Sequence, residues 1–375
     1  MPGADAGVSG RRLDVDESDV RTRPPRSTRP RTKSRPGHVD AADAVVVAVD
    51  RGRFTCLVAP AGTIPTSLAD VDPDASGVAT VTAVKARELG RKSAVVGDVV
   101  RLVGDLTGED GSLARIVGTR DRATLLRRTA DDDDPVERIV VANADQLVVV
   151  TAVADPPPRP RLIDRCVAAA LDAGMTPLLA LTKTELEDPT DLLDAYRALD
   201  VPVVLLSDLA GRAAGTDPTV PRGAVDPHGV GELADHLRGR VSVLVGHSGV
   251  GKSTLVNALV PGAARVVGVV NENTHRGRHT STSALALHLP GDGGGWVVDT
   301  PGIRSFGLAH LSPQALVRAF PDLDAVTVDC PRGCQHAAAD PECALDLAAR
   351  DGWVSHARLS SFRRLLESRD RRAGD

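Results

Sequence analysis

The segment GHSGVGKST, residues 246–254, constrains the fold more than any other part of this 375-residue chain. It follows the apolar run VSVLV and precedes a helical run, which is the setting of a Walker A phosphate-binding loop. Glycines in such a loop let backbone N–H groups approach phosphates, and the next helix begins with its positive end there. The predicted nucleotide-binding residues are Gly246, His247, Ser248, Gly249, Val250, Gly251, Lys252, Ser253 and Thr254.

Apolar strands alternate with helices on both sides of this loop. QLVVVTAV, PLLALTK and VPVVLLS are each followed by a helical segment, near 161–173, 189–199 and 229–238. Near-continuous apolar strands alternating with helices indicate a mostly parallel, doubly wound sheet. We therefore predict one multidomain α/β chain in which residues 136–309 form the nucleotide-binding domain.

The segment WVVDTPG indicates a GTPase-type switch after a buried strand. Lys252 is expected to reach the β- and γ-phosphates, while Ser253 and Asp299 hold Mg²⁺ and the Gly302 amide senses the γ-phosphate. A switch threonine that completes the magnesium shell is expected in residues 271–283. Its candidates are Thr280 and Thr282, with Ser281 between them.

Base selection is assigned to LTKTEL, an altered form of the NKxD element. Thr182, Lys183, Thr184 and Glu185 occupy its positions, and the Glu185 carboxylate favours the donor groups of guanine over adenine. Ser207 matches a loop that gives a backbone N–H to the guanine O6. Because these loops precede the phosphate loop, the order indicates a circularly permuted GTPase domain, which is feasible where domain termini lie close together at the surface.

Residues 43–128 alternate apolar and polar positions in short strands, which suits an OB-type β-barrel. Stacking aromatics are scarce there, so RNA contacts would use basic side chains, although plain solubility explains such charges equally well. The acidic run Asp131–Asp134 with Pro135 marks a linker. The basic candidates are Arg91, Lys92, Arg120, Arg122, Arg127 and Arg128.

Residues 1–42 are expected to form a disordered arm, since RTRPPRSTRPRTKSRPG holds seven basic residues and no acid. The arm is either an inert solvated tail or a nucleic-acid-seeking segment. The first forty residues lack an apolar signal segment, and no apolar run is long enough to span a bilayer. We expect a cytoplasmic protein in which cysteines are reduced.

Cysteines and a histidine are closely spaced near the C-terminus. Cys330, Cys334, His336 and Cys343 lie within fourteen residues and could fill the tetrahedral shell of one structural Zn²⁺. Unrelated thiols beside a surface histidine are the alternative. We predict that residues 310–375 form a zinc-binding helical domain ending in the Arg-rich helix SHARLSSFRRLLESRDRR. The remaining Cys56 and Cys166 are expected in the core.

With these segments in this order, the chain resembles the circularly permuted, ribosome small subunit-dependent GTPases, the RsgA or YjeQ family. The resemblance covers residues 43 to about 368 and rests on ANADQLVVVTAV, GHSGVGKSTLVNAL, GRHTST, DTPGIRSFGL and the Cys3His segment ending in ECAL. It implies hydrolysis of GTP to GDP, a structural zinc, and a role in late maturation of the small (30S) subunit through its rRNA. His279 matches a histidine proposed to orient the attacking water.

Two features depart from the family pattern: TKTE stands for NKxD, and the outer spacings of the zinc segment differ by about one residue. A phosphate-loop ATPase or kinase is one rival, favoured by the altered base element. An RNA-binding assembly factor with a merely structural nucleotide site is another. For the GTPase interpretation, we expect a monomer.

Overall fold

A computed structural model of the chain describes residues 38, 40–89, 94–131, 134–209, 229–263, 284–291, 293–300, 311–338, 340 and 342–370. The predicted basic arm lies outside these residues except for its last few positions. None of the helices within the described ranges is long and apolar enough to cross a membrane.

The N-terminal strands close into a five-stranded barrel, which confirms the predicted OB-type barrel. Neighbouring strands are antiparallel except β3 and β5, and the pairing of β1 with β4 closes the ring. Alternate residues such as Val46, Cys56 and Ile116 are fully buried inside it. The strands are β1 (Ala42–Asp50), β2 (Arg53–Val58), β3 (Ala79–Lys85), β4 (Val99–Gly104) and β5 (Ala114–Thr119).

The residues on both sides of the predicted linker form paired strands instead, so Asp131 and Asp134 belong to a two-stranded sheet. Strand β6 (Leu125–Asp131) pairs antiparallel with β7 (Asp134–Ala142), and Asp131 lies opposite Asp134. The prediction failed because the acidic run was interpreted by composition alone. The segments on either side satisfy their backbone hydrogen-bonding groups by pairing with each other.

A second set of strands forms the predicted doubly wound sheet, in the order β10-β9-β8-β11-β13-β12. All neighbours are parallel except β12, which is antiparallel to β13. The strands are β8 (Gln146–Ala152), β9 (Thr176–Thr182), β10 (Val203–Leu205), β11 (Val241–Val245), β12 (Leu285–His288) and β13 (Trp296–Asp299). The helices between them are α1 (Pro160–Asp172), α2 (Thr190–Arg197), α3 (Val230–Leu237) and α4 (Lys252–Leu259).

Successive residues of the central strands face opposite layers of the core. Val149 of β8 packs in the layer that contains Ile163 of α1, whereas Val148 and Val150 pack in the layer that contains Leu255 of α4. A strand covered on both faces must be apolar at every position. This explains why these strands appear in the sequence as continuous apolar runs.

The barrel and the nucleotide-binding sheet are joined by backbone pairing. Strand β12 pairs with β1 at Ala48 and Leu285, so the two sheets are continuous. Residues 264–283, which contain the predicted switch segment, lie outside the described residues, and β12 begins directly after them.

The C-terminal region is helical, as predicted, and packs on the nucleotide-binding domain. Its last helix contacts α1, where Arg364 Nε donates to the buried Asp164 carboxylate at 3.0 Å and Tyr196 Oη donates to it at 2.9 Å. Burial raises the pKa of Asp164, against the opposing influence of Arg364. The helices are α5 (Pro313–Arg318), α6 (Pro321–Val326), α7 (Ala344–Arg350) and α8 (His356–Asp370).

Candidate functional site

The phosphate loop joins β11 to α4 in a conformation that depends on glycine. Gly249 and Gly251 have φ angles of 87° and 89°, which residues with a side chain rarely adopt. A Cβ on Gly246 would lie 2.5 Å from the carbonyl oxygen of Val150 on the neighbouring strand. The α4 N-terminus has no side-chain cap, so its N–H groups remain available to an anion.

His247, also predicted to bind nucleotide, directs its ring into the protein. The residue is 8% exposed, and Nδ1 lies 2.9 Å from the Ser248 carbonyl oxygen. The ring lines a small, largely apolar cavity together with Thr151 and Cys166. The backbone of His247, not its imidazole, is therefore the part that could contact phosphate.

Lys252 and Asp299 lie side by side at the end of the sheet. The Lys252 ammonium forms an ion pair with Asp299 Oδ1 and donates to the Thr300 carbonyl oxygen at 2.8 Å. The contact follows from parallel pairing of β11 with β13, which places Leu244 opposite Asp299. Ser253, the other predicted magnesium ligand, is exposed at the next helical position.

Thr182 ends β9 beneath the phosphate loop. Its buried hydroxyl donates to the Val250 carbonyl oxygen at 2.6 Å. The next residue, Lys183, adopts a left-handed φ of 59°, and its ammonium contacts the Asp155 carbonyl oxygen. The predicted base element from the first half of the domain therefore contacts the phosphate loop from the second half.

Glu185 lies next to the loop after β10. Its Oε2 accepts a hydrogen bond from the Asp208 N–H at 2.9 Å, and Thr184 N–H donates to the Leu206 carbonyl oxygen at 3.3 Å. Ser207 precedes Asp208, so the predicted base-binding residues converge at one end of the sheet. One carboxylate oxygen of Glu185 is oriented by this contact.

Five predicted residues lie outside the described ranges. The switch predictions for the segment after α4 and for the turn after Asp299 therefore stay predictions. These residues are His279, Thr280, Ser281, Thr282 and Gly302.

The predicted zinc ligands come together around one point. Sγ of Cys330, Cys334 and Cys343 lies 3.6, 3.5 and 4.0 Å from His336 Nδ1, and all four ligand atoms lie within 4.8 Å of one another. A tetrahedral Zn²⁺ with bonds of about 2.3 Å to sulfur and 2.05 Å to nitrogen separates these atoms by about 3.6 Å. The donor set and its spacing fit a structural zinc.

Two residues missed by the sequence analysis support this loop. Asp340 Oδ2 accepts from the N–H groups of Gln335 at 2.6 Å and Ala337 at 3.3 Å. Arg363 of α8 donates to the His336 carbonyl oxygen at 3.1 Å and forms a two-pronged pair with Asp346 of α7 at 2.7 Å. The sequence offered two signals for this support: Asp340 lies between two predicted zinc ligands, and Arg363 lies in the predicted Arg-rich last helix.

Two of the basic residues expected to contact RNA are paired within the protein. Arg120 Nε and Nη2 donate to Asp43 at 2.7 and 2.8 Å, and Arg122 donates to the fully buried Asp98 at 2.6 and 2.7 Å. Both arginines bind barrel carboxylates, and their contact with RNA stays a prediction. Arg91, Lys92 and the Arg128 side chain lie outside the described part of the chain.

The two cysteines assigned to the core are buried there. Cys56 is 0% and Cys166 is 2% exposed, and burial raises the pKa of each thiol to about 12. Both remain protonated thiols at neutral pH. They are chemically unlike the clustered cysteines of the C-terminal region.

Comparison with known proteins identifies relatives of this arrangement. The model of the family described as RsgA GTPase matches residues 119–309. A "Small ribosomal subunit biogenesis GTPase RsgA" from Ectopseudomonas mendocina is 40% identical over 236 residues, which cover 61% of this chain and 63% of that protein. One of the same name from Pseudomonas fluorescens SBW25 is 39% identical over 260 residues, covering 68% and 69%. The match thus spans a little under two thirds of the Ectopseudomonas relative.

Solved structures share the fold. YjeQ from Thermotoga maritima superposes with a TM-score of 0.58 and 22% identity over 88% of this chain and 98% of that chain. YloQ, described as a circularly permuted GTPase, superposes with a TM-score of 0.56 and 20% identity over 90% and 97%. At these identities the likeness concerns the fold alone.

Proposed function

Since the chain belongs to the RsgA GTPase family, we propose that it hydrolyses GTP to GDP and phosphate and acts in late maturation of the small (30S) ribosomal subunit. The observation that carries this proposal is the ion pair between Lys252, the first residue of α4, and Asp299, the last residue of β13. A phosphate-loop lysine and an aspartate at the end of the next strand are the two fixed parts of a GTPase phosphate site.

Guanine selection rests with Glu185 and its neighbours. The Asp208 N–H holds one oxygen of the carboxylate, which leaves the other to accept from the guanine N1 and N2 donors. Adenine presents an acceptor at N1, which a carboxylate repels. Lys183 lies on the same loop, where its stem can cover the base, and Ser207 lies beside Asp208.

The phosphate end uses the loop backbone and Lys252. With nucleotide bound, Lys252 would bind the β- and γ-phosphates, and Asp299 would be available to help hold the magnesium ion. Ser253 and Asp299 provide the oxygen donors that Mg²⁺ prefers. When bound, the ion neutralises charge on the phosphates. A hydroxyl of Thr280, Ser281 or Thr282 and the Gly302 amide complete this end of the site.

Water positioning is assigned to His279 because the residue after DTPG is Ile303, where Ras-like enzymes carry a glutamine. This role rests on the family resemblance. A site without a built-in water-positioning glutamine hydrolyses GTP slowly by itself, so a partner is expected to order the switch segment around the γ-phosphate.

The partner proposed here is the 30S subunit with its rRNA. The barrel precedes the nucleotide domain in the chain, and the zinc-binding region follows it. We propose that the protein is a cytoplasmic monomer. It would hold one structural Zn²⁺. Cys330, Cys334, His336 and Cys343 would hold the zinc, and Arg363 of α8 binds both the ligand loop, at His336, and α7, at Asp346. This arrangement supports contact with two separated sites on a folded ribonucleoprotein.

The experiment measures GTP turnover with and without purified 30S subunits, with 50S subunits as the control. We expect strong stimulation by 30S subunits only, tighter binding with a non-hydrolysable GTP analogue than with GDP, and weaker binding as salt is added. Unchanged turnover with saturating 30S subunits, together with RNA binding that ignores the nucleotide, would favour an RNA-binding assembly factor with a structural nucleotide site.

A further inference from the structure

Trp353 lies on the surface in the turn between α7 and α8. It is 85% exposed, whereas the other Trp, Tyr and Phe residues in the described ranges are at most 3% exposed. The turn is ordered, because Trp353 N–H donates to the Ala348 carbonyl oxygen at 2.9 Å and the adjacent Val354 is buried. One exposed apolar side chain needs no explanation by itself. The residues around Trp353 therefore determine whether it belongs to a binding site.

Trp353 forms one wall of an open cavity of about 600 Å³, which we call the Trp353 pocket. Asp200, after α2, and Asp322 of α6 also line it. These two carboxylate side chains are 81% and 47% exposed. An indole and two accessible carboxylates therefore face the same space.

Arg358 of α8 is the cation among the lining residues, and its hydrogen-bonding capacity is nearly exhausted. It donates to Asp322 at 2.9 and 3.1 Å, to Asp200 at 2.6 Å and to the Ala198 carbonyl oxygen at 3.0 Å. Four of the five guanidinium N–H donors are thus used. A phosphate entering the pocket would meet two carboxylates and almost no available donor.

The charge balance of the pocket is negative. Two carboxylates oppose one guanidinium, and the C-terminal end of α2, which carries partial negative charge, opens on the same space at Ala198. Guanidinium and ammonium groups are attracted to the face of an indole, and carboxylates strengthen that attraction. The chemistry fits a cation and disfavours an anion.

We propose that the Trp353 pocket binds an arginine or lysine side chain of a basic polypeptide segment. The cation lies against the Trp353 indole, and Asp200 accepts its hydrogen bond. This site is separate from the nucleotide site, and its occupant is a protein segment, not RNA. The proposal does not depend on GTP hydrolysis.

The test uses the full chain and a fluorescein-labelled peptide, Ac-GRGRGRG-amide, followed by fluorescence anisotropy. We expect saturable binding that Trp353→Ala weakens about tenfold, as loss of a partly desolvated cation–π contact requires. Trp353→Phe should retain most of the affinity, and Asp200→Asn should weaken binding severalfold. The matching GEGEGEG peptide should not bind.

Two variants control for folding and for net charge. Val328→Ala removes another exposed apolar side chain of the region, and Asp235→Asn removes an exposed carboxylate on α3. Both should bind the peptide like the unchanged chain. Unaltered affinity of Trp353→Ala, or an equal loss in Asp235→Asn, would overturn the proposal. So would a Trp353→Ala variant that loses labelled hexauridylate but keeps the peptide, because the indole would then be a base-stacking platform.

Discussion

Thr182 Oγ1 donates to the carbonyl oxygen of Val250 at 2.6 Å, and both residues are fully buried. This bond joins the predicted base element to the phosphate loop across a separation of 68 residues.

Replacing Thr182 by valine keeps the shape of the side chain and removes that donor. A buried carbonyl left without its partner costs about 1 kcal/mol or more, so we expect GDP affinity to fall about fivefold, with a lower melting temperature. Titration with a fluorescent GDP derivative measures this. Thr182→Ser retains the hydroxyl and should bind like the unchanged chain; equal affinities for all three proteins would remove the bond from nucleotide binding.

Glu185→Ala should abolish the preference for GTP over ATP. We propose that the carboxylate distinguishes the guanine donors from the adenine acceptor, so without it the affinities for the two nucleotides should become similar. Glu187→Ala, two residues along the same loop, is the matched control and should keep the preference. If the native chain already binds ATP as tightly as GTP, base selection does not depend on this loop.

Cys334→Ser should lose the zinc and the order of the surrounding loop. Short loops with little apolar material depend on the metal for folding, so removal of one thiolate should reduce the content from one zinc per chain to near zero. Metal analysis of protein purified without added zinc gives the result. Cys166→Ala removes a core thiol instead and should retain the metal. A native chain without zinc would refute the assignment.

His279→Ala should reduce GTP turnover by roughly 10²-fold, the range expected for a positioned catalytic group. Nucleotide affinity should change little, because the imidazole is assigned to the attacking water and not to the bound nucleotide. His275→Ala lies in the same segment and should turn over normally. Equal rates for all three proteins would exclude His279 from the reaction.

The sequence predicted those sites whose residues lie close together along the chain. The phosphate loop was recognisable because strand, glycines, lysine and helix follow one another, and the zinc ligands fall within one short segment. In both cases the chemistry requires particular residue types at fixed spacing. The continuous apolar strands likewise predicted a sheet covered on both faces.

Contacts between residues that lie far apart in the sequence could not be predicted from motif spacing. The ion pair of Arg120 was not predictable because its partner, Asp43, lies 77 residues earlier, on β1 of the barrel. The Asp208 N–H that orients Glu185 is a backbone group and leaves no trace in the sequence. Asp340 was overlooked because an acid between metal ligands has many explanations besides support of the loop.

The pairing of β1 with β12 has a consequence for solubility. An uncovered edge strand offers backbone groups on which another chain can build. At one margin of the nucleotide-binding sheet, β10 is only three residues long and offers little template. At the other, barrel strand β1 covers β12 at Leu285. Deleting the barrel would therefore expose the backbone groups of edge strand β12. The truncated protein should then form intermolecular β-structure, whereas the full chain should not.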